Sequence, residues 1–195
     1  MTLATVSDRL STTPVEGWNG TAWVSDVAFC DFQVFDRFIS ARDFGQKKRT
    51  MYCGPSFLLP TTYRVIRLLS SEVYIVTSTN MDIHKGLLTG VTYFLTEAST
   101  QVDINSTVTT KSASGVITGS TTNTVSGVFA DISRMGEISS HAMRSVKYST
   151  HILTFPLGTV INEDDEVVDG ADVYDINEVT RVLDSVEARG IQRGG

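Results

Sequence analysis

Few residues in this sequence have the types and spacing that catalysis needs. Cys53 and His84 could in principle form a nucleophile and base, but no neighbouring residue supports that chemistry. Ser56 lies in the segment CGPSF, which does not fit the turn that presents a nucleophilic serine. Carboxylate pairs suited to glycoside hydrolysis are no more evident than in any acidic chain, and no glycine-rich phosphate loop occurs. We therefore predict that the protein is not an enzyme.

Charged side chains cluster at two places, and both are candidate interface sites on the basis of charge alone. The basic patch consists of Lys47, Lys48 and Arg49, and the acidic run consists of Glu163, Asp164, Asp165 and Glu166. The basic patch fits either a solvated loop or a contact with an acidic partner surface or a phosphate backbone. The acidic run fits a solvated turn, the rim of a contact with a basic partner, or a calcium site. An EF-hand is excluded, because Val167 and Val168 stand where polar ligands belong.

The cysteine and histidine content predicts neither a metal site nor a disulfide framework. The chain contains 2 cysteines and 3 histidines. The spacing of Cys30 and Cys53 fits no zinc motif, and the scattered histidines do not complete one. We expect both cysteines to be buried free thiols, and we expect no cofactor.

The composition favours strands over long charged helices. Of 195 residues, 41% are hydrophobic and 19% are charged, and serine and threonine fill the difference. The net charge of −6 argues against a general grip on nucleic acid, and it fits either a charge that keeps a protein soluble or a conduit wall that repels DNA. No secretory signal and no apolar run of membrane-spanning length is visible, so we expect a protein made in the cytoplasm without membrane contact.

Alternation of apolar and polar residues predicts several strands. It is clearest in 151–179, with breaks at a proline and a glycine. The runs 63–69 and 73–77, joined by a short polar connector, predict a hairpin, and 91–98 predicts a further strand. The aromatic-rich stretch 23–39 fits a strand or a helix equally well.

The expected organisation is one β domain with two appendages. Residues 1–22 resemble an extended N-terminal arm, and 23–98 with 127–191 form the domain. The Ser/Thr-rich segment 99–126 predicts a projecting β-hairpin or a flexible loop. Residues 178–189 fit a short capped helix, which we favour slightly, or a second hairpin. The predicted fold is mainly β, a small antiparallel barrel or sandwich with a long Ser/Thr-rich hairpin arm and at most one or two short helices.

Two stretches resemble the strands of head-closure (stopper) and head–tail joining proteins of tailed bacteriophages. The first is HILTFPLGTVINEDDEVVDGADVYDINEV, which matches the family pattern of a strand into a proline, a D-x-V-x-x-G step and x-x-Y-x-V. The matching residues are Pro156, Asp165, Val167, Gly170 and Tyr174, with Ile176 in place of the usual valine. The block YRVIRLLSSEVYIVTSTNMD, followed by VTYFLTEA, is similar to a hairpin of such neck proteins. Together they cover about a third of the chain.

The resemblance implies a structural virion protein that forms a homo-oligomeric ring in the phage neck. The ring would join the portal and its adaptor proteins to the tail. It would line or close the channel through which packaged DNA passes without sequence-specific binding. Two alternatives stay open, namely a tail terminator or tail-tube protein, and a carbohydrate- or cell-surface-binding β module. The last requires exposed aromatic rings around Trp18 and Trp23.

Overall fold

The described residues of this computed structural model are 13–34, 48–68, 71–135 and 149–193. Their regular structure consists of β-strands, and these form two closed antiparallel barrels of six strands each. The mainly β prediction is therefore confirmed, and the barrel is the alternative that the structure adopts. None of these residues belongs to a helix long and apolar enough to cross a membrane.

The first barrel is built from six strands between Thr13 and Glu97. They are β1 (Thr13–Trp18), β2 (Trp23–Val34), β3 (Lys48–Cys53), β4 (Val65–Leu68), β5 (Val73–His84) and β6 (Leu87–Glu97). Their order around the barrel is β1-β2-β3-β6-β5-β4, and pairing of Val15 with Leu68 closes it. Every second residue of β3 and β5 faces inward, so Met51, Cys53 and Tyr74 lie in the core.

The second barrel repeats this arrangement between Thr100 and Gln192. Its strands are β7 (Thr100–Lys111), β8 (Ile117–Arg134), β9 (His151–Pro156), β10 (Glu166–Asp169), β11 (Asp172–Val182) and β12 (Ser185–Gln192). Their order is β7-β8-β9-β12-β11-β10, which is the order of the first barrel with six added to each strand number. Pairing of Ile104 with Val167 closes it around a separate core that contains Leu153 and Phe155.

The Ser/Thr-rich segment is a projecting hairpin, which confirms that prediction. Strands β7 and β8 stay paired from Asn105 and Thr124 out to Lys111 and Ile117, well beyond the barrel. Threonine and valine favour this extended pairing. A turn at its tip places Gly115 at a φ of 81°, which glycine adopts without a steric penalty. We call the paired residues 105–124 the arm.

The domain boundaries differ from the expected single β domain with an N-terminal arm. Residues 13–18 form β1 inside the first barrel, where Val15 is fully buried, while 1–12 lie outside the described residues. The segments 23–98 and 127–191 enclose two separate cores. The reason is that pairing of β1 with β4 and of β7 with β10 closes each sheet on itself, and alternation within single strands does not specify such pairing.

Two other segments are hairpins in the structure. Residues 178–189 belong to the antiparallel pair β11 and β12, so the hairpin alternative is correct and the helix is not. Residues 78–90 form the outer part of the β5–β6 hairpin. Its two turn residues, Lys85 and Gly86, have φ values of 50° and 77°. Positive φ at both positions is the type I′ geometry that matches the twist of a hairpin.

Candidate assembly surfaces

The basic patch predicted from the sequence lies at the start of β3. Lys47 lies outside the described residues, and Lys48 is the first residue of the strand. Arg49 lies on the inward side of β3, two residues before the buried Met51. Its Nε atom is buried without a hydrogen-bond partner. Arg49 therefore faces the end of the barrel interior, which is not the solvated loop position that the sequence suggested.

A tyrosine accompanies Arg49 at this end of the first barrel. The hydroxyl of Tyr74 donates a hydrogen bond of 2.5 Å to Oε2 of Glu72. Burial, together with that carboxylate, raises the pKa of Tyr74 to about 12, and the nearby Arg49 guanidinium opposes the rise. The phenol therefore stays neutral at physiological pH. The buried Tyr74 thus lies between the half-buried Arg49 and the exposed Glu72.

The second barrel carries the corresponding cluster. His151 begins β9 as Arg49 stands near the start of β3, and its ring meets that of Tyr174 edge-on at 5.0 Å. Asp172 precedes Tyr174 by two residues, as Glu72 precedes Tyr74. Burial lowers the pKa of His151, Arg134 lowers it further, and Asp172 opposes them. The two clusters thus combine a basic residue, a buried tyrosine and an exposed acid at corresponding places in the two barrels.

The acidic run divides into paired and free carboxylates. Asp165 is buried, and its Oδ2 accepts the backbone N–H of Asn162 at 2.8 Å. Glu166 forms a 2.6 Å ion pair with Arg193. Glu163 and Asp164 are exposed and make no ion pair with any described residue. The described residues contain no group of three side chains that could hold a metal ion. Of the alternatives for the acidic run, a negatively charged surface at Glu163 and Asp164 fits these observations. We call these two residues the acidic rim.

The two cysteines offer no nucleophile. Cys30 and Cys53 are free, and both are fully buried in the first core. Burial raises the pKa of each thiol to about 12. His84, the base considered for Cys53, lies exposed beside the β5–β6 turn. The thiols stay protonated inside the core, as buried structural cysteines do.

A contact between the two barrels was not predicted from the sequence. Asp184, in the β11–β12 turn, accepts 2.8 Å and 3.0 Å hydrogen bonds from Arg64 and Thr79 of the first barrel. The Asp184 N–H also approaches the carbonyl oxygen of Thr77 at 3.4 Å. Side-chain exposure of 22% for Arg64 and 19% for Asp184 makes this ion pair partly buried. The β11–β12 turn thus contacts both β5 and the loop before β4.

Three aromatic rings form a second part of that contact. The ring of Phe129 on β8 lies 5.7 Å from Trp18 and 5.8 Å from Trp23. The two tryptophans also meet each other at 5.3 Å, and Arg67 stacks over Trp23 at 4.6 Å. From the sequence, both tryptophans are recognisable only as possible exposed rings. Their contact with Phe129 depends on strand pairing within the other barrel, which the sequence pattern does not specify.

Apolar side chains are left uncovered on two hairpins. At the end of the β5–β6 hairpin, Met81, Ile83 and Leu87 are each more than 60% exposed. On and near the arm, the exposed apolar side chains are Val108, Val116, Ile117 and Val125. Single exposed apolar residues are normal, but groups concentrated on projecting elements mark interaction sites. These hairpins and the acidic rim are the candidate assembly surfaces. Comparison with protein-family models, with curated proteins and with solved structures finds no match to this chain.

Proposed function

We propose that the protein is a structural virion protein of a tailed bacteriophage that forms a ring in the neck, between the head and the tail. The observation that carries the proposal is the arm. It is a two-stranded ribbon that leaves its barrel and exposes a row of threonine and apolar side chains. An isolated ribbon of this kind is marginally stable in water. Contact with neighbouring copies would supply its missing burial.

The remaining surface fits a self-assembling wall. Heterologous contacts close into rings, and projecting hairpins are suited to make them. The net charge of −6 would let packaged DNA pass without adhering. The segment that resembles neck proteins supplies β9, β10 and most of β11, which form half of the second barrel. This resemblance supports the neck of the virion as the location.

The mass of the purified protein in solution tests the proposal. We expect light scattering on a size-exclusion column to give one defined multiple of the 21.3 kDa chain. Addition of purified portal, adaptor or tail components should shift the peak to a larger complex. A monomer at all concentrations that ignores every neck component would contradict the proposal. An open stack of indefinite length would indicate the tail-tube alternative.

An arm-shortened variant makes the test specific. Ser106 pairs with Asn123, so replacing residues 107–122 by an Asn-Gly turn keeps the register of the remaining strands. We expect this variant to keep both barrels folded and to lose the ring. A ring of unchanged mass would show that the arm plays no part in assembly. In the intact protein, the arm should resist protease in the ring and be cut in the dispersed chain.

The carbohydrate-binding alternative gains no support from the aromatic residues. It requires open rings at Trp18 and Trp23. Both rings are partly buried and packed against Phe129. Each indole contacts Phe129 and the other indole, so neither stands as an open ring.

A further inference from the structure

The two barrels are copies of one structural unit, and their details correspond as closely as their strand order. In the first barrel, the β5–β6 pairing shifts between Val76 and Ser78. In the second, the β11–β12 pairing shifts between Ile176 and Glu178, one hundred positions later. The β1–β2 and β7–β8 pairs likewise shift one residue after Val15 and Val102 respectively. Bulges placed identically are specific features of a fold.

This correspondence identifies equivalent surfaces on the two units. The N–H of Val76 bonds to the carbonyl oxygen of Arg64, and the N–H of Ile176 bonds to that of Asp165. The loop that ends at Arg64 therefore corresponds to the loop that ends at Asp165. The β5–β6 turn at Lys85 and Gly86 corresponds to the β11–β12 turn at Leu183 and Asp184.

Within one chain, a turn of the second unit docks on the first unit. The acidic turn residue Asp184 binds the basic loop residue Arg64. The reverse pair, a turn of the first unit on the second, is not formed inside the chain. Its turn carries exposed His84 and Lys85, and its loop carries exposed Glu163 and Asp164. In the pair formed inside the chain, the turn is acidic and the loop is basic. In the unused pair, the turn is basic and the loop is acidic, so these two surfaces are also complementary in charge.

Apolar side chains accompany the unused charges. Ile83 and Leu87 flank the Lys85 turn and are 64% and 69% exposed. In the opposing loop, Val160 is 69% exposed. The β5–β6 hairpin also runs further past its bulge than the β11–β12 hairpin does, so it reaches further from its barrel. The first unit thus offers a long basic and apolar tip, and the second offers an acidic loop with an apolar residue.

We propose that the Lys85 turn of one copy docks on the Val160–Glu163–Asp164 loop of a second copy. The contact inside the chain and the contact between chains are then two versions of one turn-on-loop interface. The surfaces on the two copies differ, so each copy can accept one neighbour and bind another, which yields a ring or an open stack. The inference rests on the proposed self-assembly and adds a second contact between copies to the one proposed for the arm.

Charge reversal tests the docking. Lys85→Glu should weaken assembly by about tenfold or more in protein concentration, measured by light scattering. Glu163→Lys should do the same, and the two changes combined in one chain should restore the wild-type mass. Arg181→Glu is the matched control, because it reverses an exposed basic side chain of β11 that lies outside the arm and forms no ion pair with a described residue. It leaves the proposed interface untouched.

The outcomes separate this inference from the proposed function. A wild-type protein that never assembles would reject both. A wild-type ring that persists in Lys85→Glu as well as it does in Arg181→Glu would reject the docking alone. Zero-length carbodiimide cross-linking of the assembled protein gives a direct readout. We expect an intermolecular link from Lys85 to Glu163 or Asp164, and a link pattern without it would overturn the docking.

Discussion

Tyr74 and Tyr174 occupy the same position in the two barrels, one hundred residues apart along the chain. Each is preceded by a valine and, one residue earlier, by an acid, and each is buried. Each faces a basic residue near the start of the third strand of its barrel, Arg49 or His151. The Tyr74 hydroxyl donates a 2.5 Å hydrogen bond to the Glu72 carboxylate, whereas Tyr174 has no such bond to a described residue.

Tyr74→Phe should destabilise the first barrel by about 1 kcal/mol, the usual net value of one hydrogen bond. The hydroxyl links Glu72 to the barrel end, and the phenylalanine ring still fills the core. Urea unfolding followed by exposure of Cys30 and Cys53 measures this barrel specifically, since both cysteines of the chain lie in it. Tyr174→Phe is the matched control and should cost less in the second barrel. Equal losses would contradict the difference between the two ends.

His151 should make the second barrel less stable in mild acid. Burial lowers its pKa below the usual 6.5, so the unfolded chain takes up a proton before the folded chain does. This contribution to stability is complete above pH 6.5 and declines as the pH falls below that value. Thermal unfolding between about pH 7.5 and pH 5 measures the decline, because an unperturbed histidine titrates near 6.5.

A matched pair of variants assigns that pH effect. His151→Gln should flatten the decline, and His84→Gln, at the exposed β5–β6 hairpin, should leave it unchanged. The same slope in wild type and in His151→Gln would show that other groups cause it.

The cysteine thiols should react with Ellman's reagent only when the first barrel opens. Both are fully buried, and the pKa of each is about 12, so little thiolate exists at neutral pH. We expect slow labelling in buffer and stoichiometric labelling of both thiols in denaturant. Fast labelling of either thiol in the native protein would mean that this core opens easily.

Phe129→Ala should loosen the contact between the barrels and shift the tryptophan fluorescence to longer wavelength. The variant removes the ring that packs on Trp18 and Trp23 and lets water reach both indoles. Phe29 stands at the equivalent position of the first barrel, where it packs on Phe57 at 5.4 Å. Phe29→Ala is therefore the control and should leave the emission maximum unchanged. No shift in Phe129→Ala would indicate that the indoles are shielded by other groups.

The strands could be read from the sequence, but the closure of the barrels could not. Alternation within 151–179 marks inward-facing residues, and the β-branched and aromatic run at 73–77 marks β5. Closure depends on pairing such as Val15 with Leu68, which brings together residues far apart in the chain. The helix favoured at 178–189 was wrong, because the valines at helical spacing also fit strands and pairing with β9 determined the outcome. The repeat was hidden because equivalent positions share few residue types, as with Arg49 and His151.

The candidate sites were foreseen only where charge alone marked them. The exposed Glu163 and Asp164 lie in the acidic run identified from the sequence, but Asp165 turned inward to bind its own loop. The Asp184 contact and the apolar β5–β6 tip were missed. Both depend on where a hairpin turn lies relative to the other barrel. The alternation of apolar and polar residues within a strand does not predict that position.

Closure of the barrels also determines which strands keep unpaired backbone amide and carbonyl groups along an edge. A strand inside a closed barrel has partners on both sides, so it cannot template the addition of a foreign strand. Beyond Asn105 and before Thr124, the two strands of the arm pair only with each other in the described part of the chain, and their outer edges carry unpaired amide and carbonyl groups. The outer part of β5, from Ser78 to His84, likewise pairs only with β6 among the described residues. Sheet extension by a neighbour would therefore occur along projecting hairpins such as these two.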